Sequence, residues 1–274
     1  MTITALSPTI DRPARDKPLV SLRGITKTFS NGTLALKDMS LDVREGEFVS
    51  LLGPSGCGKS TALRIIAGLG EPSAGTIEWP SASSFDGSGN PDREIGFVFQ
   101  EPTLMPWATV WNNVWLPLRL KGVTKRAAND RVMETLAMVG LESFAGAYPR
   151  ELSGGMKMRV SIARALITRP KLLLMDEPFA ALDEITRFKL NNDLLLLWER
   201  FGWTVIFVTH SVFESVYLSE RIVVMAARPG RVFRDLKIDA PYPRDDAFRT
   251  SAVYNDNCRR ASDALQQAMG AVAN

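Results

Sequence analysis

The run Gly53-Pro54-Ser55-Gly56-Cys57-Gly58-Lys59-Ser60 fills every fixed position of the pattern G-x-x-x-x-G-K-[ST]. In such a loop, glycines let backbone N–H groups curl around phosphate oxygens that side chains would otherwise block. A helix starting at the same place adds the partial positive charge of its N-terminus. Lys59 is the residue to reach the β- and γ-phosphates, the Ser60 hydroxyl is suited to a magnesium shell, and Thr61 completes the nucleotide-binding segment. A second run, Leu172-Leu173-Leu174-Met175-Asp176-Glu177, is apolar and ends in two acids. By itself it reads as a strand running into a solvated acidic turn. Beside a phosphate loop it reads as chemistry: Asp176 holds Mg²⁺, commonly through water, because that ion needs few protein ligands. Glu177, one position on, can polarise a water against the γ-phosphate.

Phosphate-loop nucleotidases of many kinds share these two motifs, and Leu152-Ser153-Gly154-Gly155-Met156, followed by Lys157 and Arg159, tells them apart. A serine and two glycines opening a periodic helix make a second phosphate-facing terminus, although an ordinary serine N-cap has the same look. Two helix ends on opposite sides of one domain cannot readily hold one triphosphate. A symmetric pair, each chain lending its second terminus to the other's nucleotide, resolves this.

Several elements must position these groups. Glu47–Leu52 reads as a buried strand leading into the glycine loop, and Leu63, Ile66 and Leu69 line one side of the helix beyond. Short apolar stretches from Leu19 to Phe48 alternate around Asn31-Gly32, a hairpin signal. Further strands are expected at Ile95–Phe99, Leu172–Met175 and Thr204–Val208, with Ile185, Phe188, Leu195 and Trp198 at helical spacing between the last two. Strands alternating with helices predict an α/β fold with a parallel sheet. The stretch 103–164 lacks a strand pattern and is rich in helical periodicity, as in Arg126–Val139, so it reads as an inserted helical subdomain. Pro229-Gly230 turns a hairpin between Arg221–Met225 and Val232–Ile238. Beyond Pro243, Cys258, Ala261, Leu265 and Met269 mark a short amphipathic helix. The expected division is a disordered leader over 1–18, one domain over 19–240 and a tail over 241–274.

Taken in order, these motifs resemble the ATP-binding-cassette family, whose signature is usually written L-S-G-G-Q. The match runs from about Leu19 to about Ile238. The resemblance implies a phosphate-loop core with an antiparallel β subdomain and an inserted helical one, ATP and Mg²⁺ as ligands, and ATP hydrolysis as the activity. It adds Gln100 as the glutamine that senses magnesium and the γ-phosphate, and Ala181-Leu182-Asp183 as a loop crossing a dimer interface. His210, the only histidine in the chain, becomes the switch residue on the γ-phosphate, and Phe29 an aromatic stacked on adenine. Ser153, Gly154, Gly155 and Asp183 then serve the partner chain's ATP. Three positions depart from the family pattern: Met156 for glutamine, Ser211 for the aspartate common after the histidine, and Phe29 for tyrosine.

Phe99-Gln100-Glu101-Pro102, Pro106-Trp107, Asn112-Asn113-Val114, Tyr148-Pro149 and Ala227-Arg228-Pro229-Gly230-Arg231 resemble the nitrate, sulfonate and taurine importers within that family. That likeness implies a second ATPase subunit, two transmembrane permease subunits, a periplasmic solute-binding protein, and a peripheral place on the cytoplasmic face of the inner membrane. Trp107, Trp111 and Trp115 share one face if helical. Large aromatics usually bury, so core packing is the expectation. The alternative is a groove for a short helix of a membrane subunit.

Composition sets the outer limits. The 274 residues are 45% hydrophobic, enough for a sizeable core, with 23% charged and a net charge of +3. The sequence lacks the concentrated basic stripe of a nucleic-acid binder. Cys57 and Cys258 fit neither a disulfide framework nor a zinc site, which points to a reducing compartment. No apolar run reaches the roughly 18–20 residues that span a bilayer, so any membrane role falls to partners. A fused second nucleotide domain, coiled-coil arms and an Asn-Lys-x-Asp guanine motif are all missing from the sequence. Cassette ATPases of translation or DNA maintenance, and GTPases, are therefore disfavoured.

Overall fold

Asn31 turns the chain as its position suggests: its Oδ1 accepts a hydrogen bond from Thr33 N at 3.0 Å. The strands on either side, β1 (Pro18–Thr28) and β2 (Leu34–Arg44), pair antiparallel, with Val20 opposite Val43 and Leu22 opposite Leu41. The computed structural model describes residues 17–80 and 94–270. These form two compact units, an inner one of Glu94–Phe201 and a flanking one built from the described residues on both sides. The leader expected over 1–18 lies outside the described residues up to position 16, and Pro18 already opens β1.

β3 (Phe48–Leu52), α1 (Lys59–Ile66) and β4 (Ala74–Glu78) complete the first half of the flanking unit. β4 joins the free side of β1, giving a three-stranded antiparallel sheet in the order β2-β1-β4. The inner unit contains β5 (Ile95–Val98), α2 (Val110–Leu120), α3 (Lys125–Met138), α4 (Gly154–Leu166), β6 (Leu172–Asp176) and α5 (Glu184–Phe201). Helices thus dominate 103–164, but the compact unit is wider and includes two parallel strands. The chain then returns through β7 (Thr204–Thr209), α6 (Val212–Leu218), β8 (Arg221–Ala226), β9 (Arg231–Lys237), α7 (Asp246–Thr250) and α8 (Ala252–Gly270).

In the flanking unit β3 lies between β7 and β8 and parallel to both, while β9 pairs antiparallel with β8. Every residue of β3 and β7 is buried. Parallel strands are covered on both faces, which is why Phe48-Val49-Ser50-Leu51-Leu52 and Thr204–Thr209 read as nearly continuous apolar runs, with Ser50, Thr204 and Thr209 the buried polar exceptions. The pairing runs from Phe48 opposite Val205 to Leu52 opposite Thr209, so both strands end at the same level. Arg221 ties the other end, with Nε 2.7 Å from Glu47 Oε1 and Nη1 2.8 Å from Asp235. In the inner unit Val98 pairs with Met175, and β5 and β6 likewise end level.

Some apolar positions do not bury where their spacing suggests. Leu63 and Ile66 lie in the core, but α1 stops at Ile66 and Leu69 is 62% exposed. On α5, Leu195 and Trp198 are buried while Ile185 is 70% exposed, because the first turn projects beyond the core. The tail forms a five-residue helix and then a 19-residue one. Its buried face runs through Tyr254, Cys258, Ala261, Ala264 and Ala268, whereas Met269 is exposed. Both cysteines are buried and free.

Candidate active site

The phosphate loop leaves the C-terminal end of β3 and closes onto α1, whose N-cap is the left-handed Gly58. Lys59 Nζ donates to the carbonyl oxygens of Gly53 at 2.8 Å and Pro54 at 3.0 Å, holding its ammonium across the loop's own mouth. The first turn of α1 carries no acid, so nothing local offsets the positive end of the helix dipole. Ser55 and Gly56 are exposed at the rim, and Ser60 and Thr61 lie half-buried in that first turn. Burial pushes the Cys57 thiol up, against the pull of Lys59, and keeps it protonated.

Gly230 backs this loop, a role the sequence reading did not assign. Its N–H donates to Ala35 O at 3.0 Å and its carbonyl accepts from Lys37 N at 2.9 Å. A Cβ at Gly230 would overlap the carbonyl oxygen of Cys57. The only available signal was the Pro-Gly hairpin turn, which says nothing of what the turn packs against.

His210 leaves the end of β7, the strand next to β3, and is exposed. Its neighbours are fixed. Thr209 Oγ1 donates to Glu214 Oε2 at 2.6 Å and accepts from Ser211 N at 2.9 Å. Ser211 is the N-cap of α6, its Oγ accepting from Glu214 N at 3.3 Å. Serine and aspartate both serve well at an N-cap, so Ser211 keeps the capping role of the residue it replaces. Phe29 lies in the turn between β1 and β2, 44% exposed, with Lys27 Nζ 5.6 Å from its ring centroid.

The remaining predicted residues belong to the inner unit. Gln100 is exposed just beyond β5, and Asp176 is the buried last residue of β6. Glu177 follows with φ 46°, a left-handed conformation that is strained for a side chain of this size and tends to occur at functional sites. Ser153 caps α4, with Oγ accepting from Met156 N at 3.3 Å, and Ser153 and Gly154 are exposed. Gly155 packs against α5 so closely that a Cβ would come within 2.6 Å of Thr186 Cγ2. Asp183 lies in the same patch, accepting from Thr186 N at 2.9 Å. The fold therefore joins the signature and Asp183 on one surface. Phe29, Gly53 to Thr61 and His210 lie on the flanking unit, and Gln100, the signature, Asp176, Glu177 and Asp183 on the inner one.

Arg164 also escaped the sequence reading. From α4 its guanidinium donates to Pro102 O at 2.9 Å, Thr103 O at 2.8 Å and Thr103 Oγ1 at 2.9 Å. The segment after Gln100 is thereby tied to the helix that carries the signature.

Core packing of the three tryptophans does not hold. α2 begins at Val110, so Trp107 precedes the helix and is 77% exposed, and Pro117 lies inside the helix instead of bracketing it. Trp111 and Trp115 are half-buried with ring centroids 5.6 Å apart, and Lys125 Nζ stands 5.7 and 5.4 Å from them. Trp115 Nε1 donates to Val123 O at 3.1 Å. Trp111 borders an open groove of about 680 Å³ beside Lys125, Arg126 and Asp130, and Trp115 a second of about 440 Å³ with Trp107 and Arg119.

A lysine-bearing phosphate loop, an acid-ended strand and a serine-glycine helix start on a mixed α/β scaffold define an ATP-binding cassette. Residues 36–180 match the family described as ABC transporter. Among curated relatives, an uncharacterised ABC transporter ATP-binding protein of Methanocaldococcus jannaschii is 50% identical over 247 residues, 88% of this chain and 89% of that protein. The aliphatic sulfonates import ATP-binding protein SsuB of Bacillus cereus is 45% identical, covering 82% of this chain and 88% of the relative. SsuB 1 of Pseudomonas savastanoi is 46% identical over 83% and 89%. An ATP-binding cassette solved as a dimer in a post-hydrolysis state with ADP and phosphate superposes with a TM-score of 0.70 at 39% identity, over 81% of this chain and all of that one. CbiO1 of Clostridium perfringens, part of the cbiONQ transporter complex, gives 0.71 at 28% identity, over 81% and 89%. The chain belongs to the ABC transporter family and is its ATP-binding, ATP-hydrolysing subunit.

Proposed function

We propose that this ATPase powers the import of a small, anionic solute of the sulfonate, nitrate or taurine kind. The cargo class is supported by the SsuB relatives, which are aliphatic sulfonates import ATP-binding proteins. On this reading two copies enclose two ATP molecules, and two permease subunits and a periplasmic solute-binding protein complete the machine at the cytoplasmic face of the inner membrane. Among the described residues no helix is long and apolar enough to cross a membrane, so attachment falls to those partners.

The observation that carries the dimer is the exposed N-terminus of α4. Ser153 and Gly154 are exposed beside Asp183 at a helix start, whose outward backbone N–H groups suit the phosphate of a partner's nucleotide. Each chain then lends Ser153, Gly154, Gly155 and Asp183 to its partner's nucleotide. Met156 adds no amide contact where the family has glutamine, leaving backbone N–H groups and the serine to act. Phe29 stacks on adenine, and Gly53 to Thr61 hold the phosphates. Lys59 moves its Nζ from its own loop carbonyls to phosphate oxygens. Ser60, Gln100 and Asp176 would each offer Mg²⁺ an oxygen donor of the kind it prefers, and the ion would neutralise charge on the nucleotide's phosphates. Glu177 polarises the attacking water, and His210 contacts the γ-phosphate and keeps glutamate and water in line.

The grooves beside Trp111 and Trp115 are the surface we assign to the permease. Trp111 and Lys125 in one groove, and Trp107, Trp115 and Lys125 in the next, suit a short amphipathic helix. Glu177→Gln tests the hydrolytic reading. The variant is expected to bind ATP, to turn over at least about a hundredfold more slowly, and to accumulate as a closed dimer by size-exclusion chromatography. Wild-type turnover would refute the assignment.

A further inference from the structure

The tail grips the helix that follows His210 at both ends. α6 has seven residues, too few to be stable alone, so something must hold its terminal carbonyls. At its start, Tyr254 of α8 donates its hydroxyl to Phe213 O at 3.1 Å. At its end, Arg244 is almost fully buried and its Nη1 donates to Val216 O at 2.9 Å, Tyr217 O at 3.0 Å and Ser219 O at 2.9 Å. Tyr242 donates to the remaining carbonyl, Leu218 O, at 2.9 Å. A buried guanidinium on the last carbonyls of a helix also meets the negative end of its dipole. Tyr217 closes the loop by donating its hydroxyl to Arg244 O at 2.8 Å. The Phe248 ring lies between the Tyr217 and Tyr254 rings, at 6.3 and 5.3 Å.

α6 in turn sets the loop that presents His210. The N-cap Ser211 is the residue after the histidine, and Glu214 in the first turn binds Thr209, the residue before it. A slip of α6 therefore moves both neighbours of His210 together.

We propose that the tail positions the switch histidine, with Tyr254 and Arg244 acting through α6 as positioning residues for hydrolysis. This rests on the reading of His210 given above. Tyr254→Phe removes one hydroxyl and keeps the ring. In the full-length chain it is expected to lower kcat by about fivefold or more, since small misplacements near a reacting group are costly. KM for ATP and nucleotide affinity should be unchanged, and amide hydrogen exchange across α6 should be faster. In a His210→Ala background the same substitution should cost nothing further, because both act on one contact. Unchanged exchange in α6, or a loss of rate that adds to that of His210→Ala, would overturn the inference. A slow His210→Ala with a wild-type Tyr254→Phe sinks the inference alone; a wild-type His210→Ala sinks the histidine assignment and the inference with it.

Discussion

The Asp183 carboxylate accepts a hydrogen bond from Thr186 N at 2.9 Å, and the backbone and then the side chain of Thr186 hold its pKa below the ordinary carboxylate value. A depressed folded pKa stabilises the native state fully above the unfolded value and loses that contribution as pH falls through the lowered one. Asp183→Ala is therefore expected to melt below the parent at neutral pH, with the gap narrowing as pH drops below about 4. A gap constant down to strongly acidic pH would show that the carboxylate does not cap α5. The same side chain and Ser153 each begin a helix and are exposed, which leaves them open to the partner role proposed for them. This dual use explains why Ser153 in isolation could be read as an ordinary cap. It is one, and the proposed phosphate role adds to that capping bond without replacing it.

At the scale of elements, strand ends decide which residues can cooperate. β3 and β7 end level, so the phosphate loop and His210 emerge side by side, and β5 and β6 do the same for Gln100 and Asp176. Nearly continuous apolar runs made all four strands legible in the sequence. The loop between β8 and β9 was legible only as a turn. Its contact with Cys57 needed the hairpin to fold back over β2, a pairing between residues nearly 200 positions apart that no local pattern encodes. Gly230→Ala is expected to weaken nucleotide binding at least about tenfold, with a smaller loss of thermal stability, because the added methyl pushes on the Cys57 carbonyl of the phosphate loop. Titration with a fluorescent ATP analogue measures this, and parental affinity would mean the loop bears no strain from behind.

On the scale of the whole molecule, the proposed coupling of ATP hydrolysis to transport needs a surface for a partner, and the grooves beside Trp111 and Trp115 are the ones we assign to it. Trp111→Ala and Trp115→Ala are each expected to lower transport in the assembled complex well beyond what their loss of thermal stability accounts for, with basal ATP hydrolysis near parental values. Transport that falls only in step with stability would return these rings to a structural role. Trp107, outside the helix and largely exposed, supplies rim contacts at most to the same surface.

The sequence by itself determined the class of chemistry and the order of the buried strands, but not the exposed strand β4. Phosphate cradling, a magnesium acid and a helix N-terminus are local features, each set by residues within a few positions of one another, and apolar periodicity encodes each buried strand. Tertiary structure alone decided which apolar residues face the core, as the exposed Leu69, Ile185 and Trp107 show. It also decided which distant residues brace the site: Gly230 behind the phosphate loop, Arg164 across to Thr103, and Arg244 and Tyr254 around α6. Periodicity specifies a face but not its neighbour, and a buried hydrogen bond to a remote carbonyl leaves no trace in spacing.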